Sequence, residues 1–171
     1  MALEFFNLKK NVLEFADKAH KGQTRKYTGD DYIVHPMAVA DLVFKHGGNE
    51  VQVCAALLHD VVEDTDVTNI EICELFGVEI ARLVHWLTDT SQPSDGNRRI
   101  RKGIDAKRLA KAPAEAQMVK LADMIDNADT IFRFDAGFST QFTKEMGHLV
   151  DVMSKVHGTT MFNLATKVLK T

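Results

Sequence analysis

The 171-residue chain predicts an all-α fold, a single helical bundle. Three observations carry the helical part of that reading. Glycine and proline are sparse, at 10 and 3 residues. Apolar residues recur at the three- and four-residue spacing of amphipathic helices in segment after segment. No segment shows the strict alternation of a half-buried strand. The length suits one domain spanning residues 1–171 with a substantial core.

Residues 5–20 carry Phe5, Leu8, Val12, Phe15, Ala16 and Ala19 on one helical face. Residues 21–34 are polar, punctuated by Gly22 and Gly29, and read as a loop. Pro36 suits the first position of the next helix, with His35 at or near its N-cap, and Gly47-Gly48 stops it. A helix over about 50–62 is apolar on most sides through Val51, Cys54, Ala55, Ala56, Leu57, Leu58 and Val61-Val62. Thr68 and Glu71 form a capping box that opens a short helix ending at Gly77. A further helix is expected over about 78–90, and residues 91–97 are the clearest loop. A basic helix follows at about 98–111, then a long apolar-rich one at 114–134, then two more at 139–157 and 159–170.

The balance of 24 acidic against 21 basic residues gives no general reason to expect nucleic-acid or anionic-membrane binding. No apolar run approaches the 18 or more residues of a transmembrane helix, and the N-terminus lacks a signal-like segment, so a cytoplasmic protein is expected. Cys54 and Cys73 sit in apolar helical patterns and read as reduced core residues.

The chemistry gathers in a few places. His59 and Asp60 lie inside an apolar run, where unpartnered imidazole and carboxylate groups cost several kcal/mol each. Coordination of a metal is one resolution; a satisfied polar couple in the core is the other. Adjacent residues lie about 100° apart on a helix, so other helices must complete any ring. His35 at a helix start and Asp123, an acid set into an apolar helix, are the candidates. Taken alone, His35 could be a simple cap and Asp123 an acid paired with Lys120. Two imidazoles with two carboxylates suit Mn²⁺ or another first-row divalent ion better than Ca²⁺. Glu63 and Asp64 follow one turn after His59 and Asp60, placed to orient or deprotonate water. Arg25 and Lys26 would bring a phosphate into this acidic neighbourhood, and Asn127 could bond a ribose or phosphate. The basic helix 98–111 is a second source of cations, although such a stripe is commonly just a solvated face.

With these residues assembled, the chain resembles the HD-domain metal-dependent phosphohydrolases. More narrowly, it is similar to the hydrolase domain of RelA/SpoT homologues and the small alarmone hydrolases. The resemblance rests on four segments in family order: Ala19–Gly29, Tyr32–Ala40, Ala55–Thr65 and Val119–Asn127. It implies an HD-type bundle in which His35, His59, Asp60 and Asp123 hold Mn²⁺ and Glu63 and Asp64 activate water. It further implies that Arg25, Lys26 and Asn127 contact a nucleotide, and that the 3′-pyrophosphate of (p)ppGpp is removed to leave GDP or GTP. The family usually places a basic residue after the Asp of its last motif and another after the Asn. Here those stretches read Asp123-Met124 and Asn127-Ala128-Asp129, with an added acid at Asp126. That departure keeps a second substrate class open, another nucleotide or a phosphorylated dinucleotide such as NADPH. A silent helical module that binds a nucleotide or a partner protein is the reading from a different class, and an oligomer is possible but unsupported.

Overall fold

A computed structural model describes the backbone of residues 2–170 and the side chains of residues 4–170. The helices are α1 (Ala2–Ala19), α2 (Val34–Lys45), α3 (Glu50–Leu58), α4 (Val61–Asp64), α5 (Asn69–Phe76), α6 (Val78–Leu87), α7 (Arg98–Leu109), α8 (Ala114–Phe134), α9 (Ala136–Val152) and α10 (Thr160–Val168). Short 3₁₀ turns occupy Pro93–Asp95 and Ser154–Val156. Among the described residues there is no strand, only an isolated bridge between Thr24 and Asp31 that closes the polar loop.

α3 is the hub of the bundle. Residues 52–59 are all buried, so a helix of ordinary length is covered on every side, by α1, α2, α6 and α8. A capping box between Asn49 and Gln52 satisfies its first free N–H groups. α8 runs beside α2, α6, α9 and α10 and spans the bundle. The Thr68–Glu71 capping box opens α5 as expected, and Gly77, at φ 91°, ends it.

Three expectations differ from the structure. Val34 rather than Pro36 opens α2, so His35 lies in the first turn instead of capping it, and Pro36 is the third helical residue. Proline is harmless there because first-turn N–H groups lack helical acceptors. The helix expected over 50–62 breaks at His59-Asp60 and restarts as α4. The cause is local. The Ala56 carbonyl, whose helical partner would be the N–H of residue 60, accepts from His59 Nδ1 at 2.8 Å. α9 also begins three residues sooner than expected, because the Asp135 carboxylate caps it by accepting from Phe138 N at 3.0 Å.

At the far end of α7, buried Gln117 forms a knot. Its Nε2 donates to the Leu109 carbonyl at 3.0 Å, and its Oε1 accepts from Lys155 N at 3.1 Å. Lys155 Nζ donates in turn to the Lys111 and Ala112 carbonyls at 2.9 and 2.7 Å. Backbone groups left free where α7 ends are thereby satisfied inside the protein.

Candidate metal centre and cleft

The break at His59-Asp60 turns both side chains toward α2 and α8. His59 Nε2 lies 3.0 Å from Asp60 Oδ2 and 3.7 Å from Asp123 Oδ1. His35 Nε2 lies 3.2 Å from Asp123 Oδ1 and 3.6 Å from Asp60 Oδ2. His35, His59 and Asp123 are buried. The four expected ligands thus meet, contributed by α2, the α3–α4 break and α8.

The donor set fits a divalent cation. Bonds of 2.0–2.2 Å in tetrahedral or octahedral arrays put neighbouring ligand atoms about 3.0–3.5 Å apart, close to the separations seen here. His59 Nε2 is a buried polar atom without a hydrogen-bond partner: Asp60 is near it but not in line with it. Because His59 Nδ1 donates to the Ala56 carbonyl, Nε2 is free to present a lone pair. His35 is oriented likewise, its Nδ1 bonded to Asp126 Oδ2 at 2.6 Å. A carboxylate or carbonyl behind each imidazole is the usual support for a ligating histidine.

The local field points the same way. Burial would lower the His59 pKa, but the Asp60 and Asp123 carboxylates outweigh it and push it up to about 10. Burial likewise works against ionised Asp123, yet the Lys120 ammonium, 2.8 Å from Oδ2, and the two imidazoles hold its carboxyl well below the carboxylate range. Asp60 is also held down, the charge of His59 overcoming burial. Tyr32 donates to Asp60 Oδ2 at 2.6 Å, and its hydroxyl lies 3.5 Å from Asp64 Oδ2. Burial and the Asp60 charge push the Tyr32 pKa upward, so the phenol keeps its proton. A pocket whose anions hold protons this firmly on neighbouring imidazoles attracts a metal cation by the same potential.

Glu63 and Asp64 are more exposed and lie just beyond the break. Glu63 Oε2 accepts from Asp89 N at 3.1 Å. Partial burial, then the Asp89 carboxylate, raise its pKa; Asp64 is raised by partial burial and by Asp60.

Asp123, Asn127, Arg25 and Lys26 line a cleft of about 1160 Å³ beside the metal centre. Arg25 is engaged within the protein: its guanidinium donates to Asn127 Oδ1 and Asp126 Oδ2, both at 3.1 Å. Asn127 donates to Asp123 Oδ1 at 2.6 Å, so these residues brace the ligands as well as facing the cleft. Lys26 is exposed, 3.6 Å from Asp135 Oδ2, and its ammonium sits over the Tyr27 ring. The added acids are accounted for. Asp126 backs His35, and Asp129 pairs with Arg133 at 3.1 Å; neither lines the cleft.

Sequence reasoning did not find the roles of Tyr32 and Asp126, and it offered the basic helix that forms the opposite wall only as a second source of cations. That wall carries Arg98, Arg99, Lys102 and Arg108 of the basic helix, with Lys144 and the apolar Phe138 and Phe142 from α9. A signal existed for Tyr32, three residues before His35, a spacing that puts both near one helix start. For the α7 cations charge was the only signal, and a basic stripe looks the same on a solvated face and on a cleft wall.

With the geometry in place, comparison with known proteins bears on the chemistry. Residues 12–137 match the family described as HD domain. A probable guanosine-3′,5′-bis(diphosphate) 3′-pyrophosphohydrolase of Synechocystis is 40% identical over 120 residues, covering 68% of this chain and 16% of that protein. The guanosine-3′,5′-bis(diphosphate) 3′-pyrophosphohydrolase of Aquifex aeolicus is 38% identical over 135 residues, covering 77% and 19%. The chain thus spans less than a fifth of the length of these relatives. A solved structure described as a metazoan orthologue of SpoT that hydrolyses ppGpp matches with a TM-score of 0.84 at 26% identity, over 95% of this chain and 94% of that one. A Listeria monocytogenes protein, lmo0812, matches with a TM-score of 0.69 at 27% identity, over 85% and 97%. The HD domain implies a divalent metal, and the three buried residues His35, His59 and Asp123 each bring a ligand atom within 4.8 Å of the others.

Proposed function

We propose a reaction for this chain from one premise: it belongs to the HD domain family. The reaction is removal of the 3′-pyrophosphate of (p)ppGpp by water, giving GDP or GTP and pyrophosphate. In this reading His35, His59, Asp60 and Asp123 hold Mn²⁺. The observation that carries it is the approach of both imidazole Nε2 atoms to the Asp60 and Asp123 oxygens, at 3.0–3.7 Å, with each imidazole supported from behind. Such an ion acidifies water and draws charge from a phosphoryl oxygen.

The protein's own groups do the rest. Glu63 takes the proton of the attacking water, helped by a pKa raised toward neutrality. Asp64, whose Oδ2 lies 3.5 Å from the Tyr32 hydroxyl, orients that water. Asn127 and the cations Arg25 and Lys26 contact the nucleotide, and the α7 cations across the cleft offset the charge of its remaining phosphates. The names of the relatives and the ppGpp-hydrolysing structural neighbour support the choice of substrate. The unpaired thiols of Cys54 and Cys73 suit a reducing cytosol, where we place the protein. Among the described residues no helix is long and apolar enough to cross a membrane.

One feature favours a second substrate class. Met124, beside Asp123 on the cleft wall, is apolar where a highly charged alarmone would gain from a cation. A phosphorylated dinucleotide such as NADPH needs fewer cations there. The test is direct. The protein with Mn²⁺ is offered ppGpp, and the products are resolved by chromatography. Pyrophosphate with GDP supports the alarmone reading. Inertness toward ppGpp with orthophosphate released from NADPH supports the second, and no turnover of any nucleotide despite bound metal sinks both.

A further inference from the structure

The segment between α6 and α7 joins Glu63 to the basic wall of the cleft. At one end the Asp89 N–H donates to Glu63 Oε2 at 3.1 Å. At the other the segment is held by α7. Lys102 Nζ donates to Asp89 Oδ2 at 2.8 Å. The half-buried loop residue Ser91 donates through its N–H and its hydroxyl to the buried Asp105 carboxylate, at 3.0 and 2.7 Å, and the Thr90 N–H donates there at 3.0 Å. Glu63 thus takes its orientation from a strap whose anchors are side chains of the basic helix. Lys102 also lines the cleft, where a phosphate would compete with Asp89 for its ammonium.

We propose that Asp89 and Lys102 are positioning residues for Glu63: their ion pair sets the strap that orients the Glu63 carboxylate, so an anion that engages Lys102 changes the position of the base. The role assigned to Glu63 rests on the reaction proposed above; the strap itself does not. A misplacement of about 1 Å in a reacting group can cost about 100-fold in rate, so so small a lever is sufficient.

Two variants separate this from mere substrate binding by Lys102. Lys102→Met removes both the strap anchor and a cation of the cleft, so kcat is expected to fall about tenfold and KM to rise. Asp89→Asn keeps the backbone donor but weakens the anchor and releases Lys102 to the anion. Its kcat should fall about tenfold while KM stays level or drops. If Lys102 only bound substrate, Asp89→Asn would shift the acid limb of the kcat–pH profile through the lost charge beside Glu63 and keep the wild-type plateau, and the proposal would be overturned. Lys107→Ala, on the exposed side of α7, is the control.

A readout without turnover covers the case in which ppGpp is not the substrate. In ¹H–¹⁵N spectra of the metal-free protein, Glu63→Gln displaces the amide resonance of position 89 and sets the scale for losing that acceptor's charge. Lys102→Met is expected to displace the same resonance by a quarter of that distance or more. A smaller displacement overturns the strap whatever the substrate, whereas inertness toward ppGpp with the full displacement overturns the substrate reading alone.

Discussion

At the inner wall of the cleft, His35, His59 and Asp123 are buried between helices and backed by a carboxylate, a backbone carbonyl and an ammonium. At the outer wall, the cations of α7 are half-exposed or exposed and rest on a few contacts each: Arg98 on Glu145 and the Phe138 ring, Lys102 on Asp89, Arg108 on the His85 carbonyl and the Trp86 ring. The inner wall cannot rearrange without leaving buried charge unpaired, which costs several kcal/mol. The outer wall can, because each of its contacts contributes about 1 kcal/mol or less. Chemistry that needs fixed geometry sits on the first, and recognition of a variable anion suits the second.

That contrast breaks most visibly at Asp60. Asp60→Ala is expected to abolish both bound manganese, measured by atomic emission, and turnover; wild-type activity with metal retained would refute the ligand assignment. Glu63→Ala should keep the metal and lose about 100- to 10,000-fold in kcat, the range for a general base. Asp126→Ala removes the support of His35 without removing a ligand, and calorimetric titration with Mn²⁺ should show affinity about 10- to 100-fold weaker. An unchanged affinity would mean that the inner wall is not braced as its hydrogen bonds suggest.

The outer wall gives the smallest effect. Glu145→Gln removes the bidentate acceptor of Arg98, both bonds at 2.8 Å, and should lower Tm by less than about 4 °C. The pH dependence has a defined sign. The Arg98 guanidinium holds the Glu145 carboxyl below its ordinary value. The pair's contribution is therefore present above the ordinary glutamate value and lost as pH falls through the lowered one. Melting curves that narrow the gap between wild type and variant as pH is lowered from about 5 toward about 3 would bear this out.

Most of the helices were legible from apolar spacing and capping residues, and so were the residues that meet at the metal centre, because a charge in an apolar run demands a partner. The break that makes the centre possible was not. His59 ends α3 by giving the Ala56 carbonyl a side-chain donor, and a periodicity argument carries an apolar helix straight through such a point. The role of Asp126 was misread for a related reason. Counted as charge it weakens an anion site, but once folded it is a hydrogen-bond acceptor for His35 and Arg25. The basic helix was read only as a second source of cations, because which of its faces meets the cleft depends on α9, a contact remote in sequence.

The knot around Gln117 has a mechanical consequence. It pins the C-terminal end of α7 inside the protein, while the N-terminal half of that helix is held by exchangeable ion pairs. Arg98 and Arg99 are therefore the α7 residues farthest from the point at which the helix is pinned. Substitutions at that rim change the charge the cleft mouth presents without touching the groups that seal the helix end inside the bundle.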